Sequence, residues 1–219
     1  KPKPINIGFI NQIEDPPIYQ EQDIASNLFV GNEMGIAEIA TGVGKTRILK
    51  EVILRSQRPT LVVTPSSNLK TQTFDYLRNS FGDKYVGLLG STRPVVVTNY
   101  HSIPSKDIGY YSMFHQILFD EFHNSANETC RDFFVNQLQP IYYRYGLTAT
   151  NFKNDENAGI YLECNLSQVL YQFLAKEAIS KGYITPIIPT FFDLNNKNLI
   201  LEKNYKKDLK LFIDDNDER

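Results

Sequence analysis

The segment Ala40-Thr41-Gly42-Val43-Gly44-Lys45-Thr46 constrains this chain more than any other. It lies directly after a short apolar run, 36–40, and directly before a stretch of helical patterning, 46–55. Glycines at Gly42 and Gly44 let the backbone turn tightly enough for several N–H groups to point at one centre. The N-terminus of the following helix adds partial positive charge there. Strand, glycine turn and helix in that order make a loop for a phosphate group, in which Thr41, Gly42, Val43 and Gly44 offer backbone, Lys45 a mobile cation and Thr46 a hydroxyl for Mg²⁺. Ile39 stands where such loops usually begin with Gly or Ala. Taken alone, the loop fits a kinase as well as a motor.

A loop of this kind needs a buried strand beneath it, and the chain repeats short apolar runs at 61–64, 85–89, 95–98, 117–119 and 143–147. Helical stretches at 69–79 and 128–138 separate several of them. This alternation predicts an α/β domain, a parallel sheet covered by helices on both faces. Upstream, Ile24, Leu28 and Phe29 share one face of a helix running from Tyr19 to about Gly31, and the Pro- and Asn-containing stretch 1–17 reads as an N-terminal arm. Downstream, a polar loop at 151–157 precedes a strand at 169–173, a helix at 175–181, an extended run at 187–192 and a helical stretch from Tyr205.

With 42% hydrophobic and 22% charged residues, the chain has the composition of a folded domain. Lys and Arg number 23 against 25 Asp and Glu, so no broad positive field exists and any nucleic-acid contact must be local. No apolar run approaches the roughly 20 residues of a spanning helix, which predicts a soluble, cytoplasmic protein without a membrane partner, in the host cytoplasm for a phage or viral chain. Cys130 and Cys164 form no metal-binding or disulfide pattern and read as small buried hydrophobes.

The acidic counterpart of the loop is Gln116-Ile117-Leu118-Phe119-Asp120-Glu121, whose carboxylates cap an apolar run 75 residues after Lys45. Asp120 is placed to bind Mg²⁺ through water, and Glu121 to act as general base on the attacking water. His123 stands two residues further on.

Asp120-Glu121-Phe122-His123 fits a DExH box, and Gly146-Leu147-Thr148-Ala149-Thr150 fits the third motif of superfamily 2 helicases, in the expected order after the phosphate loop. The chain therefore resembles the first RecA-like domain of a superfamily 2 helicase or translocase, in the group of restriction-enzyme motors and phage or viral recombination helicases. Ile18-Tyr19-Gln20 resembles the end of that group's adenine-recognition motif, with Gln20 reading the base and Gln22 as its rival. The run 65–72 resembles motif Ia, 97–103 the motif Ib region, and 175–186 the group's segment downstream of motif III. The chain departs from the group at Ile18 for an Arg, at Ser66-Ser67 for Thr-Arg and at Asn151 for a Pro.

The resemblance implies ATP and Mg²⁺ as cofactors and nucleic acid, DNA ahead of RNA, as partner. His123, Thr148 and Thr150 would couple nucleotide state to strand grip, while Ser66, Ser67, Thr98 and Asn99 would contact the sugar-phosphate backbone. It also implies a second RecA-like domain that supplies arginines to the site. Only 69 residues come after Thr150, with no Arg between Tyr145 and Glu218, and the acidic end LFIDDNDER resembles a linker helix. The expected organisation is an arm at 1–17, the ATP-binding domain at 18–150, its end at 151–204 and the start of a linker at 205–219. A P-loop kinase or GTPase, and a non-catalytic nucleic-acid-binding module on the same fold, are the rival readings.

Overall fold

The computed structural model describes residues 6–125, 128–149 and 166–186. Contacts divide the chain into two units, Lys1–Thr185 and Pro186–Arg219, and the description concerns the first. The linker, the extended run at 187–192, the loop at 151–157, Cys164 and Thr150 lie outside the described residues.

Chain order runs α1 (Gln20–Gly31), β1 (Met34–Ile39), α2 (Lys45–Ser56), β2 (Thr60–Thr64), α3 (Ser67–Phe81), β3 (Val86–Leu88) and β4 (Val95–Asn99). It continues with α4 (Ile108–Tyr111), β5 (Gln116–Phe119), α5 (Glu128–Asn136), β6 (Tyr143–Thr148), β7 (Val169–Phe173) and α6 (Ala175–Ser180). Single 3₁₀ turns lie at Ile103–Ser105 and Phe122–Ser125. The seven strands pair in parallel in the order β3-β4-β2-β5-β6-β1-β7.

Strands buried on both faces need apolar residues at every position, and β2 and β4 are buried throughout. Successive side chains then serve different cores. Ala37, Ile39, Val62, Val95, Val97 and Leu118 join the cluster under α1, α2 and α3, whereas Ile36, Leu61, Val63, Val96, Ile117 and Phe119 join the one under α4 and α5.

Element ends differ from the sequence reading where hydrogen bonding outweighs hydrophobic pattern. Helix α3 starts at Ser67 because Ser66 Oγ accepts the Leu69 N–H at 3.3 Å, a side-chain cap. Strand β1 starts at Met34, where pairing with Arg144 fixes the backbone whatever the side chain.

The arm is part of the packing. Phe9 is buried against Phe81 and Tyr85, with ring centroids 5.3 Å from each. Its main chain exchanges two hydrogen bonds with the Gln57 amide, at 2.7 and 3.1 Å. Asp15 pairs with the fully buried Lys50 and, at 2.7 Å, with Arg47, both on α2. Removing one member of such a buried pair strands a charge away from water, so Asp15 fastens the arm to the helix after the glycine turn.

Candidate nucleotide site and strand-facing loops

The turn after β1 has the backbone expected of an anion cradle. Gly42 and Gly44 take φ of 92° and 90°, a region that side chains avoid, and Gly44 caps α2 in the left-handed conformation. A Cβ on Gly44 would lie 2.6 Å from Gln22 Nε2, and one on Gly42 3.0 Å from Ile184 Cγ2. Both glycines are therefore fixed by close neighbours as well as by torsion.

Of the two candidate glutamines, Gln22 touches the turn. Its Nε2 donates to the Val43 carbonyl at 2.7 Å, and its Oε1 accepts the Tyr19 N–H at 3.1 Å. Gln20 is exposed at the first position of α1. Tyr19 packs edge-on against Tyr183 at 5.0 Å. Tyr183 and Ile184 thus bring the segment after α6 to the glycine turn. Only the resemblance of 175–186 pointed to that segment, because no charge or periodicity marks it.

Lys45 Nζ is 2.5 Å from Glu121 Oε1, with the two side chains 10% and 21% exposed. The carboxylate thus occupies the lysine ammonium. Glu121 itself holds φ at 47°, a left-handed conformation uncommon outside glycine and characteristic of residues held in place for function. Its other oxygen accepts the Ala149 N–H at 3.4 Å and lies 3.6 Å from His123 Nδ1. His123 Nδ1 is also 3.0 Å from Thr148 Oγ1, and its Nε2 is 3.1 Å from the Asn124 amide. Lys45, Glu121, His123 and Thr148, from three separate segments of the chain, form one connected network.

Asp120 is 6% exposed, and its carboxyl is pushed up to about 6, first by burial and then by the Glu121 charge, with Lys45 acting the other way. A buried carboxylate held this way gains from a nearby cation. That donor, with the Thr46 hydroxyl at the start of α2, suits Mg²⁺, which takes few protein oxygens and completes its shell with water and phosphate. Among the described residues no group of three His, Cys, Asp or Glu side chains could hold a metal by itself.

Ser66 and Ser67 come after β2, and Thr98 and Asn99 end the adjacent β4, with Thr64 opposite Asn99 in the register. The four residues therefore meet at the carboxyl edge of the sheet, where ligand-facing loops of open α/β sheets gather. Asn99 Nδ2 donates to Ser67 Oγ at 3.4 Å, and Asn99 Oδ1 accepts the Ser102 N–H at 3.0 Å. Tyr100, the next residue, donates its buried hydroxyl to the Asp120 carbonyl at 2.9 Å. The loop region and the acidic strand end are joined through it.

The model of the family described as "Type III restriction enzyme, res subunit" matches residues 13–153, more than half of the chain. The chain belongs to this family. A DNA 3'-5' translocase, XPB2 of Sulfurisphaera tokodaii, is 26% identical over 179 residues, covering 76% of this chain and 40% of its own length. Among solved structures, the UvsW helicase of bacteriophage T4 matches with a TM-score of 0.63 at 16% identity, over 74% of this chain and 63% of that one. The type ISP restriction-modification enzyme LlaBIII bound to DNA matches with a TM-score of 0.58 at 16% identity, over 77% of this chain and 16% of that one. The described unit shares the RecA-like fold of these structures, and the chain spans less than half of the length of the curated relative. Family membership implies ATP use. Among the described residues no helix is long and apolar enough to cross a membrane.

Proposed function

We propose that this chain binds Mg-ATP at the glycine turn and hydrolyses it to move along a DNA strand, in partnership with a second RecA-like domain. The Lys45–Glu121 pair, linked onward to Thr148 and His123, is the observation that carries this reading. Backbone N–H groups from Thr41 to Gly44 cradle phosphate, and Lys45 exchanges the Glu121 carboxylate for the outer phosphate oxygens. That exchange frees Glu121 to take a proton from the attacking water. Thr46 and Asp120 hold Mg²⁺, which when bound neutralises charge on the transferring phosphoryl group. Because Glu121 also accepts from Ala149 and neighbours His123, its release changes the partners of the segment that includes Thr148, and Thr150 belongs to the same motif.

Gln20 and Gln22 both begin the helix beside the turn. Gln22, already bonded to Val43, is placed to report the turn's state, and Gln20 remains the base reader implied by the motif. Ser66, Ser67, Thr98 and Asn99 face the strand. DNA is proposed over RNA because the relative at 26% identity is named a DNA translocase, and the second domain because that relative is more than twice as long as the matched part. ATP hydrolysis by the full-length protein, measured as phosphate release with and without single-stranded DNA, tests the reading. DNA stimulation that disappears in Lys45→Ala supports it. Hydrolysis indifferent to DNA and to Lys45→Ala overturns it.

A further inference from the structure

The strand-facing residues Ser66, Ser67, Thr98 and Asn99 are all uncharged, yet nucleic acid is a dense line of phosphate charge and the chain as a whole carries −2. A cavity of about 380 Å³ beside these loops supplies the missing charge. It opens among the carboxyl ends of β3 and β4, the start of α3 and the segment after β4. Lys70 and Lys106 line it together with Thr98, Ser102 and Ser105, and aliphatic residues of β3 and β4 complete the wall. Among the described residues no carboxylate lines it. Nor does either lysine form an ion pair among them, whereas Lys45, Lys50 and Lys181 all do. Two ammonium groups facing one space repel each other until an anion comes between them.

A second observation points the same way. Thr98 is buried, and its Oγ1 has no hydrogen-bond partner among the described residues. A buried hydroxyl left unsatisfied is costly, and an incoming acceptor or donor recovers that cost. Lys106 is also held in place. Its ammonium lies 5.9 Å from the centroid of the Tyr110 ring, and a Cβ on Gly90 would sit 3.5 Å from its Nζ. The Tyr110 hydroxyl accepts the Gly90 N–H at 2.9 Å and donates to the Ser91 carbonyl at 3.0 Å, tying the loop after β3 to the ring that carries the lysine.

We propose that this cavity holds a backbone phosphate of the bound strand, with Lys70 and Lys106 as its cationic ligands and the hydroxyls of Thr98, Ser102 and Ser105 around it. The inference rests on the nucleic-acid reading above and extends it from Thr98 to Lys70, Ser102, Ser105 and Lys106, which that reading does not include. Thr98 lines the cavity and is the chain neighbour of Asn99, whose side chain meets Ser67. Lysines suit the task, since each is a flexible point charge that holds a phosphate without fixing its geometry, and a translocating strand must be released every step.

The test is anisotropy binding of labelled single-stranded DNA to the chain between 50 and 200 mM KCl, an experimental range in which phosphate contacts dominate the salt dependence. The Lys70→Gln, Lys106→Gln double variant should bind roughly tenfold more weakly at the lowest salt, with the slope of log K against log[KCl] shallower by about 0.7 per lysine. The Lys70→Arg, Lys106→Arg variant should restore the wild-type slope, which a merely misfolded glutamine variant would not explain. Lys84→Gln, which removes an exposed charge before β3 at the opposite sheet edge, should leave the slope unchanged. A wild-type slope in the double glutamine variant overturns the proposal while leaving strand binding intact. Failure of the wild-type chain to bind DNA at any salt overturns the nucleic-acid reading itself.

Discussion

The nucleotide end and the strand-facing end of this domain share one sheet edge and are built on opposite principles. Around the glycine turn, charges are buried and paired closely, as in the 2.5 Å contact of Lys45 with Glu121 and the 6% exposure of Asp120. At the ends of β2 and β4, Ser66, Ser67, Thr98 and Asn99 are neutral, and their side-chain bonds run from 3.0 Å, Asn99 to Ser102, to 3.4 Å, Asn99 to Ser67. Phosphoryl transfer needs fixed charge in a site that excludes water, because that is where electrostatic stabilisation is strong. Movement along a strand needs contacts that every sequence can make and that break readily. Under the proposed function, the difference teaches that one edge of a parallel sheet would house both a rigid reaction centre and a soft track. Tyr100, next to Asn99 and bonded to the Asp120 carbonyl, connects the two.

The contrast is sharpest at the base. In the full-length protein, Glu121→Gln should lower hydrolysis by roughly 10² to 10⁴, the usual worth of a general base, and steady-state phosphate release checks it. A loss of less than tenfold would mean that the connected network has no catalytic role.

Next in size is a stability effect confined to the nucleotide end. Asp120 titrates at about 6 rather than its ordinary 3.8, so between these values the folded chain holds a proton that the unfolded chain has released. Stability therefore falls as pH rises from about 4 to about 6. With metal chelated, Asp120→Asn should match the wild type below pH 4 and exceed it by roughly 3 kcal/mol above pH 6, as read by denaturant unfolding across pH. No such variant-specific pH dependence is expected at Ser67 or Asn99.

The smallest effect belongs to the track. Ser67→Glu with Asn99→Asp should weaken single-stranded DNA binding by roughly three- to tenfold at low salt, the gap closing as salt screens the added charge. Equal binding at every salt would place the strand elsewhere.

Legibility in the sequence divides along the same line. The glycine turn, the acidic pair and Val169–Phe173 were readable because apolar runs and glycines report directly on strands and tight turns. The fixing of the arm was not. Lys50 occupies a helix position where lysine ordinarily reaches solvent, and only its partner Asp15, 35 residues earlier, explains its burial. The left-handed backbone at Glu121 leaves no trace in composition, since glycine or asparagine would be the expected residue there. That Gln22 rather than Gln20 meets Val43 depends on which side of the first turn of α1 faces the glycine turn, and periodicity fixes that only to within a residue or two. Lys70 and Lys106 are 36 positions apart, and the fold brings both to one cavity through the crossover from β2 to β4.

The central claim is that Lys45 rests on Glu121 and exchanges it for phosphate. Titration of fluorescent Mg-ATP into wild type, Lys45→Ala and Glu121→Gln tests it most directly. Lys45→Ala should lose roughly 10- to 100-fold in affinity, the worth of a charge-assisted hydrogen bond, while Glu121→Gln, which frees the ammonium, should bind at least as tightly as wild type. Equal losses in the two variants would contradict the exchange.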